Sequence, residues 1–204
     1  MITEWVNKEH LKRSAVKKIN KNFKKIKPYP HFALKNFFNK DKVLKLKNAI
    51  LKEKFERQDK DLFSFSNTKE LKYAENKLIK GFFKLLMSNE FIDLMKKLTG
   101  ETKLNHIDMH AHIFKQGDYL LFHDDLVEDR KIAYIVYLSQ GFKAKYGGRL
   151  QLFDIKNPLK PAKEIVPAFN SFVCFKVSKK SLHAVEEIKS NKQRITIGGW
   201  FYGN

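Results

Sequence analysis

The chain of 204 residues lacks several features that define other classes of protein. Cys174 is its only cysteine, which excludes an intramolecular disulfide and favours a reducing environment. No apolar run approaches the roughly 20 residues needed to cross a bilayer, and the N-terminus lacks the apolar core of a signal peptide. Internal repeats and low-complexity linkers are also missing. We therefore expect a soluble, intracellular protein, cytoplasmic or nuclear or both, built mainly as one domain.

Acidic residues are scarce relative to basic ones. Against 41 Lys and Arg stand 22 Asp and Glu, which gives a formal net charge of +19. The excess is greatest in residues 1–50, where 14 basic residues face three acids. Such a field would attract a ribosome or RNA in a salt-dependent way. A generally lysine-rich composition explains the same excess and is the simpler account.

The first half of the chain has helical patterns, and with 43% apolar residues the chain can bury a substantial core. Residues 1–27 form a basic N-terminal segment with loosely amphipathic spacing, which Pro28 and Pro30 end. One-sided apolar spacing predicts further helices, and Gly100 would end the last of them; they cover 41–55, 69–87 and 90–98. A short strand at 32–38 and a polar loop at 57–68 complete this half.

After Gly100 the pattern becomes β. Runs rich in Ile, Val, Tyr and Phe alternate with turn residues, and they predict eight short strands: 106–114, 118–124, 132–138, 149–155, 163–166, 171–177, 182–188 and 193–202. Many strands without intervening helices indicate a double-sheet barrel. The expected fold is α+β, mainly β: a double-stranded β-helix of the jelly-roll or cupin type, buttressed by the N-terminal helices.

His123 and Asp125 form a His-x-Asp pair that could bind a metal. In a strand, residues i and i+2 project to the same face, so both side chains would point into the barrel. The pair alone is weak evidence, because His106 and Asp108 repeat the same spacing. His110 and His112 share a strand face and could also bind metal, although strand histidines paired with solvent or a carboxylate are commoner.

Three later residues raise the significance of the pair. His183 could complete a two-histidine, one-carboxylate iron site, or it could be a structural histidine. Arg194 lies on one strand face with Thr196, and an inward arginine needs an anion. That anion could be an acidic cosubstrate, gripped with help from the hydroxyl of Tyr137, or a carboxylate of the protein core. The order and spacing of these residues together favour the interpretation as a metal and cosubstrate site.

At this point the sequence resembles the 2-oxoglutarate oxygenase superfamily, and within its prolyl-hydroxylase branch the ribosomal prolyl 3-hydroxylase family. The resembling segments span about residues 28–203: Pro28-Tyr-Pro-His-Phe, Leu120-Leu-Phe-His-Asp-Asp, Arg130-Lys-Ile-Ala-Tyr-Ile-Val-Tyr-Leu, Gly147-Gly-Arg-Leu-Gln-Leu-Phe, Ile165-Val-Pro-Ala-Phe-Asn, His183-Ala-Val-Glu-Glu-Ile and Arg194-Ile-Thr-Ile-Gly-Gly-Trp-Phe-Tyr-Gly. The terminal Gly-Trp-Phe-Tyr-Gly run is more specific than the metal ligands, which the whole superfamily shares.

The resemblance implies Fe(II) held by His123, Asp125 and His183, and 2-oxoglutarate held by Arg194 and Tyr137. It also implies O2 as oxidant, ascorbate as a further cofactor, and a proline of the small-subunit ribosomal protein uS12 as substrate. Residues 28–204 would be the oxygenase domain, a single barrel, whereas larger family members carry a second barrel. A cosubstrate tyrosine often precedes the metal pair in prolyl hydroxylases; Phe114 lies near that place here.

Two other functions remain open. The same kind of oxygenase could act on another protein or a nucleic acid, and the basic N-terminal quarter motivates that alternative. A non-catalytic barrel that binds ribosomes or RNA is the second. In the enzymatic interpretation, the loops 126–131 and 139–147 flank the site and are candidate substrate clamps, with Gly141 as one possible hinge in the second loop.

Overall fold

The structure is a computed structural model that describes residues 2–203. Within this range the helices are short: α1 Ile2–Trp5, α2 Lys8–Leu11, α3 Arg13–Lys25, α4 Lys40–Ile50, α5 Lys77–Met87 and α6 Asn89–Thr99. None of these helices has the length and apolarity that crossing a bilayer requires. The basic N-terminal segment is not one helix, because extended backbone at Lys12 separates α2 from α3. The segment packs onto the rest of the fold through the buried Trp5 and Phe23.

The strands of residues 2–203 are β1 His31–Leu34, β2 Phe55–Lys60, β3 Phe63–Thr68, β4 Leu104–Ile107, β5 His110–Phe114, β6 Tyr119–His123, β7 Arg130–Tyr137, β8 Leu150–Leu152, β9 Lys163–Ile165, β10 Phe172–Lys176, β11 His183–Val185 and β12 Arg194–Gly203. Neighbouring strands follow the order β1-β10-β7-β12-β5-β3-β6-β11-β8-β9, with β2 on β3 and β4 on β12. The pairings are antiparallel, and the sheet curls into a nearly closed barrel. The prediction of a jelly-roll barrel buttressed by helices is confirmed.

One aromatic core joins the helices to the sheet. Phe172 of β10 stacks on Phe37 at a centroid distance of 4.7 Å and meets Phe91 of α6 at 6.1 Å. Phe37, Phe91 and Phe172 are all fully buried. Such pairs add to the free energy that burial of their large apolar area already contributes. The helices therefore brace one sheet face and leave the interior of the barrel free.

The prediction of a polar loop at 57–68 is wrong. The segment forms most of the β2–β3 hairpin, and Lys60 pairs with Phe63 across a two-residue turn. Its polar residues misled the prediction because several of them are satisfied within the protein. Ser64 is buried and donates to Asp118, which also binds Arg57 through both carboxylate oxygens, at 2.9 and 2.8 Å.

Several other boundaries differ from the sequence prediction, among them the end of α4 at Ile50 rather than at residue 55. Helix α5 begins at Lys77 rather than at residue 69, because the side chain of Asn76 accepts the backbone N–H groups of the first turn. The strand predicted at 106–114 is divided at Asp108, whose carboxylate accepts the backbone N–H of Trp200 at 2.7 Å. Strand β1 ends at Leu34 and not at residue 38.

Candidate active site

Two neighbouring strands bring the candidate metal ligands together. His123 is the last residue of β6, His183 is the first of β11, and the two are direct partners in the antiparallel register. Their ring centroids lie 4.0 Å apart. Residues separated by 60 positions in the sequence are thus placed side by side by backbone pairing alone.

Asp125 reaches the histidines by a route that the sequence did not predict. Strand β6 ends at His123, so the expected i, i+2 alternation does not place the carboxylate. Instead Asp125 has a left-handed backbone with φ of 62°, which a non-glycine residue seldom adopts outside functional or tightly constrained turns. Its Oδ1 lies 3.5 Å from Nε2 of His123, and its Oδ2 lies 3.3 Å from Nε2 of His183. Two atoms that each lie about 2 Å from one ion are no more than about 4 Å apart, so the set fits a shared metal.

Backbone carbonyls orient both imidazoles. Nδ1 of His123 lies 2.8 Å from the carbonyl oxygen of Leu121, and Nδ1 of His183 lies 2.7 Å from that of Ser181. A carbonyl oxygen only accepts, so each Nδ1 must carry the proton and each Nε2 keeps its lone pair for a metal. The hydroxyl of Ser181 also donates to the carbonyl of Asp124 at 2.8 Å, which ties the loop of the carboxylate to the strand of His183.

The electrostatics of the three ligands suit a cation. Burial alone would raise the pKa of Asp125, but the hydrogen bond and charge interaction with His183, helped by His123 and Trp200, lower it to about 2. Burial and the neighbouring His183 lower the pKa of His123. An ionised carboxylate beside a neutral imidazole is the protonation state that binds a metal.

Arg194 lies in the same barrel without a counter-charge. It opens β12, is 2% exposed, and its Nε has no hydrogen-bond partner within residues 2–203. The arginines of this range that form salt bridges are Arg57 and Arg149, so the core ion pair considered from the sequence is not observed for Arg194. Its Nη2 lies 3.5 Å from the hydroxyl of Tyr137. A buried guanidinium in this state leaves its charge available to an anion that enters the cavity.

A cavity of about 170 Å³ connects these groups. This is smaller than the roughly 300–1,000 Å³ of sites for drug-sized ligands, so it suits a small acid rather than a nucleotide cofactor. His123, Asp125, His183 and Arg194 all line it. Tyr137 is fully buried behind Arg194, and burial raises the pKa of its phenol, so it stays a protonated hydroxyl.

Two cavity residues were missed as site residues. Trp200 lines the cavity, is one of the groups that lower the pKa of Asp125, and has Cζ of Arg130 at 3.4 Å from its ring centroid. His112 also lines the cavity. The sequence indicated His112 only as a member of a possible second metal cluster. That cluster does not form, because the ring of His106 stacks on Tyr202 instead. The one three-ligand group found among the described residues is that of His123.

Comparisons with known proteins agree with this geometry. The sequence profile of the 2OG-Fe(II) oxygenase superfamily matches residues 109–202, which include all five predicted site residues. Prolyl 3-hydroxylase OGFOD1 of Mus musculus is 34% identical over 181 residues, covering 86% of this chain and 33% of that protein. Prolyl 3,4-dihydroxylase OGFOD1 of Ostreococcus tauri is 32% identical over 199 residues, covering 87% and 38%. The chain spans about a third of the length of these relatives.

Solved structures share the fold. A prolyl-4-hydroxylase of Pseudomonas putida superposes with a TM-score of 0.75 at 14% identity, covering 93% of this chain and 99% of that one. A prolyl hydroxylase of Trichoplax adhaerens, in complex with a hypoxia inducible factor peptide fragment, gives a TM-score of 0.71 at 14% identity, covering 96% and 90%. Residues 109–202 therefore belong to a 2OG-Fe(II) oxygenase domain, which implies Fe(II), 2-oxoglutarate and O2 as the reagents of its chemistry.

Proposed function

We propose that this chain is an Fe(II)- and 2-oxoglutarate-dependent prolyl hydroxylase domain. His123, Asp125 and His183 would hold the iron, and Arg194 with Tyr137 would hold the distal carboxylate of 2-oxoglutarate. The observation that carries the proposal is that Arg194, in the same small cavity as the three ligands, has no salt-bridge partner within residues 2–203. A structural arginine would have a carboxylate beside it.

In catalysis the protein residues would have two roles: they would hold the iron and the cosubstrate, and they would exclude water. Bound iron and 2-oxoglutarate supply oxidative decarboxylation coupled to hydroxylation of a C–H bond. The guanidinium of Arg194 would fix one end of the cosubstrate by a forked hydrogen bond. Apolar cavity walls that include Leu150, Phe175 and Val185 would keep water from the reacting groups.

A protein substrate is supported by the surface around the cavity mouth. Large apolar side chains are unusually exposed on both sides of the ligand pair: Leu121 42%, Phe122 54%, Leu126 46% and Val127 55%. Exposed apolar groups that cluster beside a site often contact a partner. They support the role of loop 126–131 as a substrate clamp; the corresponding role of loop 139–147 rests on its position in the sequence.

The substrate that we propose is a proline of the ribosomal protein uS12, with ascorbate as a supporting reductant and the cytoplasm or nucleus as the compartment. Relatives that carry the name prolyl 3-hydroxylase support the reaction type. The exposed lysines on α3, which include Lys17, Lys21 and Lys24, would suit approach to a ribosomal surface or RNA. The same lysines favour the second candidate, an oxygenase of this family that acts on another protein or a nucleic acid.

Mass spectrometry of a uS12 loop peptide tests the proposal. After incubation with the protein, iron, ascorbate and 2-oxoglutarate, the expected result is one added oxygen on proline, absent with Asp125→Ala. Visible absorbance on adding Fe(II) and 2-oxoglutarate without O2, together with an unmodified peptide, would move the target to another protein or nucleic acid. No absorbance at all would indicate a non-catalytic binding barrel.

A further inference from the structure

A row of polar side chains lies on one face of three neighbouring strands, and two of its members, His112 and Thr196, line the cavity. Strand β12 has β5 on one side and β7 on the other, and Thr196 is the direct partner of His112 on β5 and of Tyr137 on β7. Directly opposed residues on antiparallel strands project to the same face, so the three side chains lie in line. Arg194 is two residues from Thr196 on that face, and its own partner on β5 is Phe114.

His112 differs from every other histidine of the chain. In residues 2–203, six histidines have a ring nitrogen within hydrogen-bond distance of a protein oxygen: His10, His31, His106, His110, His123 and His183. His112 has no such partner in the described part of the chain. His112 is half-buried: Phe65 meets its ring at a centroid distance of 5.6 Å, and the residue lines the cavity. His112 is therefore accessible from the cavity.

The environment of His112 keeps the imidazole neutral. Burial lowers its pKa to about 3, and the neighbouring His110 and the charge of Arg194 act in the same direction. A neutral imidazole has one N–H donor and one acceptor nitrogen. Beside a guanidinium it can donate to a bound anion without adding a second, mutually repelling positive charge. Phe114, the other residue of β5 that lines the cavity, has no polar side-chain atom.

We propose that His112 is a third cosubstrate-binding residue, whose ring N–H donates to an oxygen of the 2-oxo dicarboxylic acid held at Arg194. With Arg194 it would define the position of that acid at two points, on strands β12 and β5, and so fix its direction toward the metal. The inference rests on the proposed function and adds to it the residue that orients the cosubstrate.

Cosubstrate binding without turnover provides the test. Under anaerobic conditions, 2-oxoglutarate is titrated into the Fe(II)-loaded protein and its Kd is read from the visible absorbance. His112→Phe removes the donor and keeps an aromatic ring, whereas His112→Gln keeps an N–H donor. His110→Phe is the matched control, because His110 lies on the same strand but does not line the cavity. Fe(II) affinity without cosubstrate and thermal unfolding are measured for each variant.

The expected Kd for 2-oxoglutarate rises about 10- to 100-fold in His112→Phe, as for the loss of one hydrogen bond to a charged group. It stays within a few-fold of the wild type in His112→Gln and is unchanged in His110→Phe. Fe(II) affinity should be unchanged in all three variants. If His112 were merely structural, its replacement would change the Fe(II) affinity as well as the Kd for 2-oxoglutarate. If the Kd is unchanged in His112→Phe while Arg194→Met binds 2-oxoglutarate more weakly, the role of His112 is overturned and the proposed function still stands. A wild type that binds no 2-oxoglutarate overturns both.

Discussion

Replacing Arg194 by Met should have opposite effects on stability and on cosubstrate binding. Arg194 is 2% exposed, its Nε lacks a hydrogen bond within residues 2–203, and the arginines of that range that form salt bridges are Arg57 and Arg149. Burying a charge in that state costs free energy that only a bound anion recovers. Met keeps an apolar stem of similar length, so the variant removes the charge without opening a large cavity.

The magnitude of each effect follows from this environment. Removing one partner of a buried, hydrogen-bonded charge pair costs about 2–5 kcal/mol, which is a loss of affinity for 2-oxoglutarate of roughly 30-fold to several thousand-fold. The free energy of unfolding without cosubstrate should instead stay equal or rise by about 1 kcal/mol. For a chain of this size, such a gain raises the Tm by about 2–4 °C.

Two assays on the same samples separate the effects. Anaerobic titration of the Fe(II)-loaded protein gives the Kd for 2-oxoglutarate, and thermal unfolding of the cosubstrate-free protein gives the Tm. Arg149→Met is the matched control, because Arg149 pairs with Glu164 and Glu186; it should keep the Kd and should not gain stability. A lower Tm with an unchanged Kd in Arg194→Met would show that Arg194 is structural, and the anion-binding argument would then be wrong.

Three further predictions concern the ligands, the mouth of the cavity and pH. His123→Ala and Asp125→Ala should abolish turnover and the Fe(II)-dependent absorbance while circular dichroism stays native; full activity in either variant would refute the ligand assignment. Leu126→Ser should lower kcat/KM for the peptide about tenfold, because apolar burial is lost, and should leave the Kd for 2-oxoglutarate unchanged. Leu51 at the end of α4 is similarly exposed, so Leu51→Ser is the control and should change neither quantity. His112 has a folded-state pKa of about 3 against 6.5 for a free histidine, so the unfolded chain protonates first as the pH falls. Stability should therefore decline between pH 6.5 and 3, by about 2 kcal/mol at pH 5 from this group; urea unfolding should show a smaller decline in His112→Gln, and equal declines would contradict the assignment.

The sequence indicated which residues could form a metal site better than it indicated their local geometry. His123, Asp125 and His183 could be proposed as a set because few combinations of residue types bind iron with open coordination positions, and the structure brings the three side chains together. The backbone conformation of Asp125 could not be predicted, because alternation along a strand assumes that the strand continues, and β6 ends at His123. The left-handed conformation at Asp125 is a property of the turn, fixed by contacts such as the hydrogen bond from Ser181 to the carbonyl of Asp124.

Residues whose role depends on strand partners were harder to predict. The alternation of His110, His112 and Phe114 placed them on one strand face, which was visible in the sequence. Which of them meets the cavity depends on the register of β5 against β12, where His112 faces Thr196. That register is a long-range pairing, and no local pattern encodes it.

The β2–β3 hairpin, which the sequence pattern predicted to be a loop, connects the strands of the candidate metal ligands to the strands of the polar row. Along the sheet, β6 and β11 carry the two candidate histidine ligands, β5, β12 and β7 carry the polar row, and β3 lies between β5 and β6. It pairs with β5 through Ser66 and Asn67, and with β6 through Phe63 and Ser64. Such short ladders provide few hydrogen bonds. The hydrogen bonds from Arg57 of β2 and Ser64 of β3 to the buried Asp118 therefore help to hold the hairpin in place. We therefore expect the distance between the candidate metal ligands and Arg194 to depend on how firmly this hairpin is held, although none of these hairpin residues belongs to the proposed ligand set or cosubstrate site.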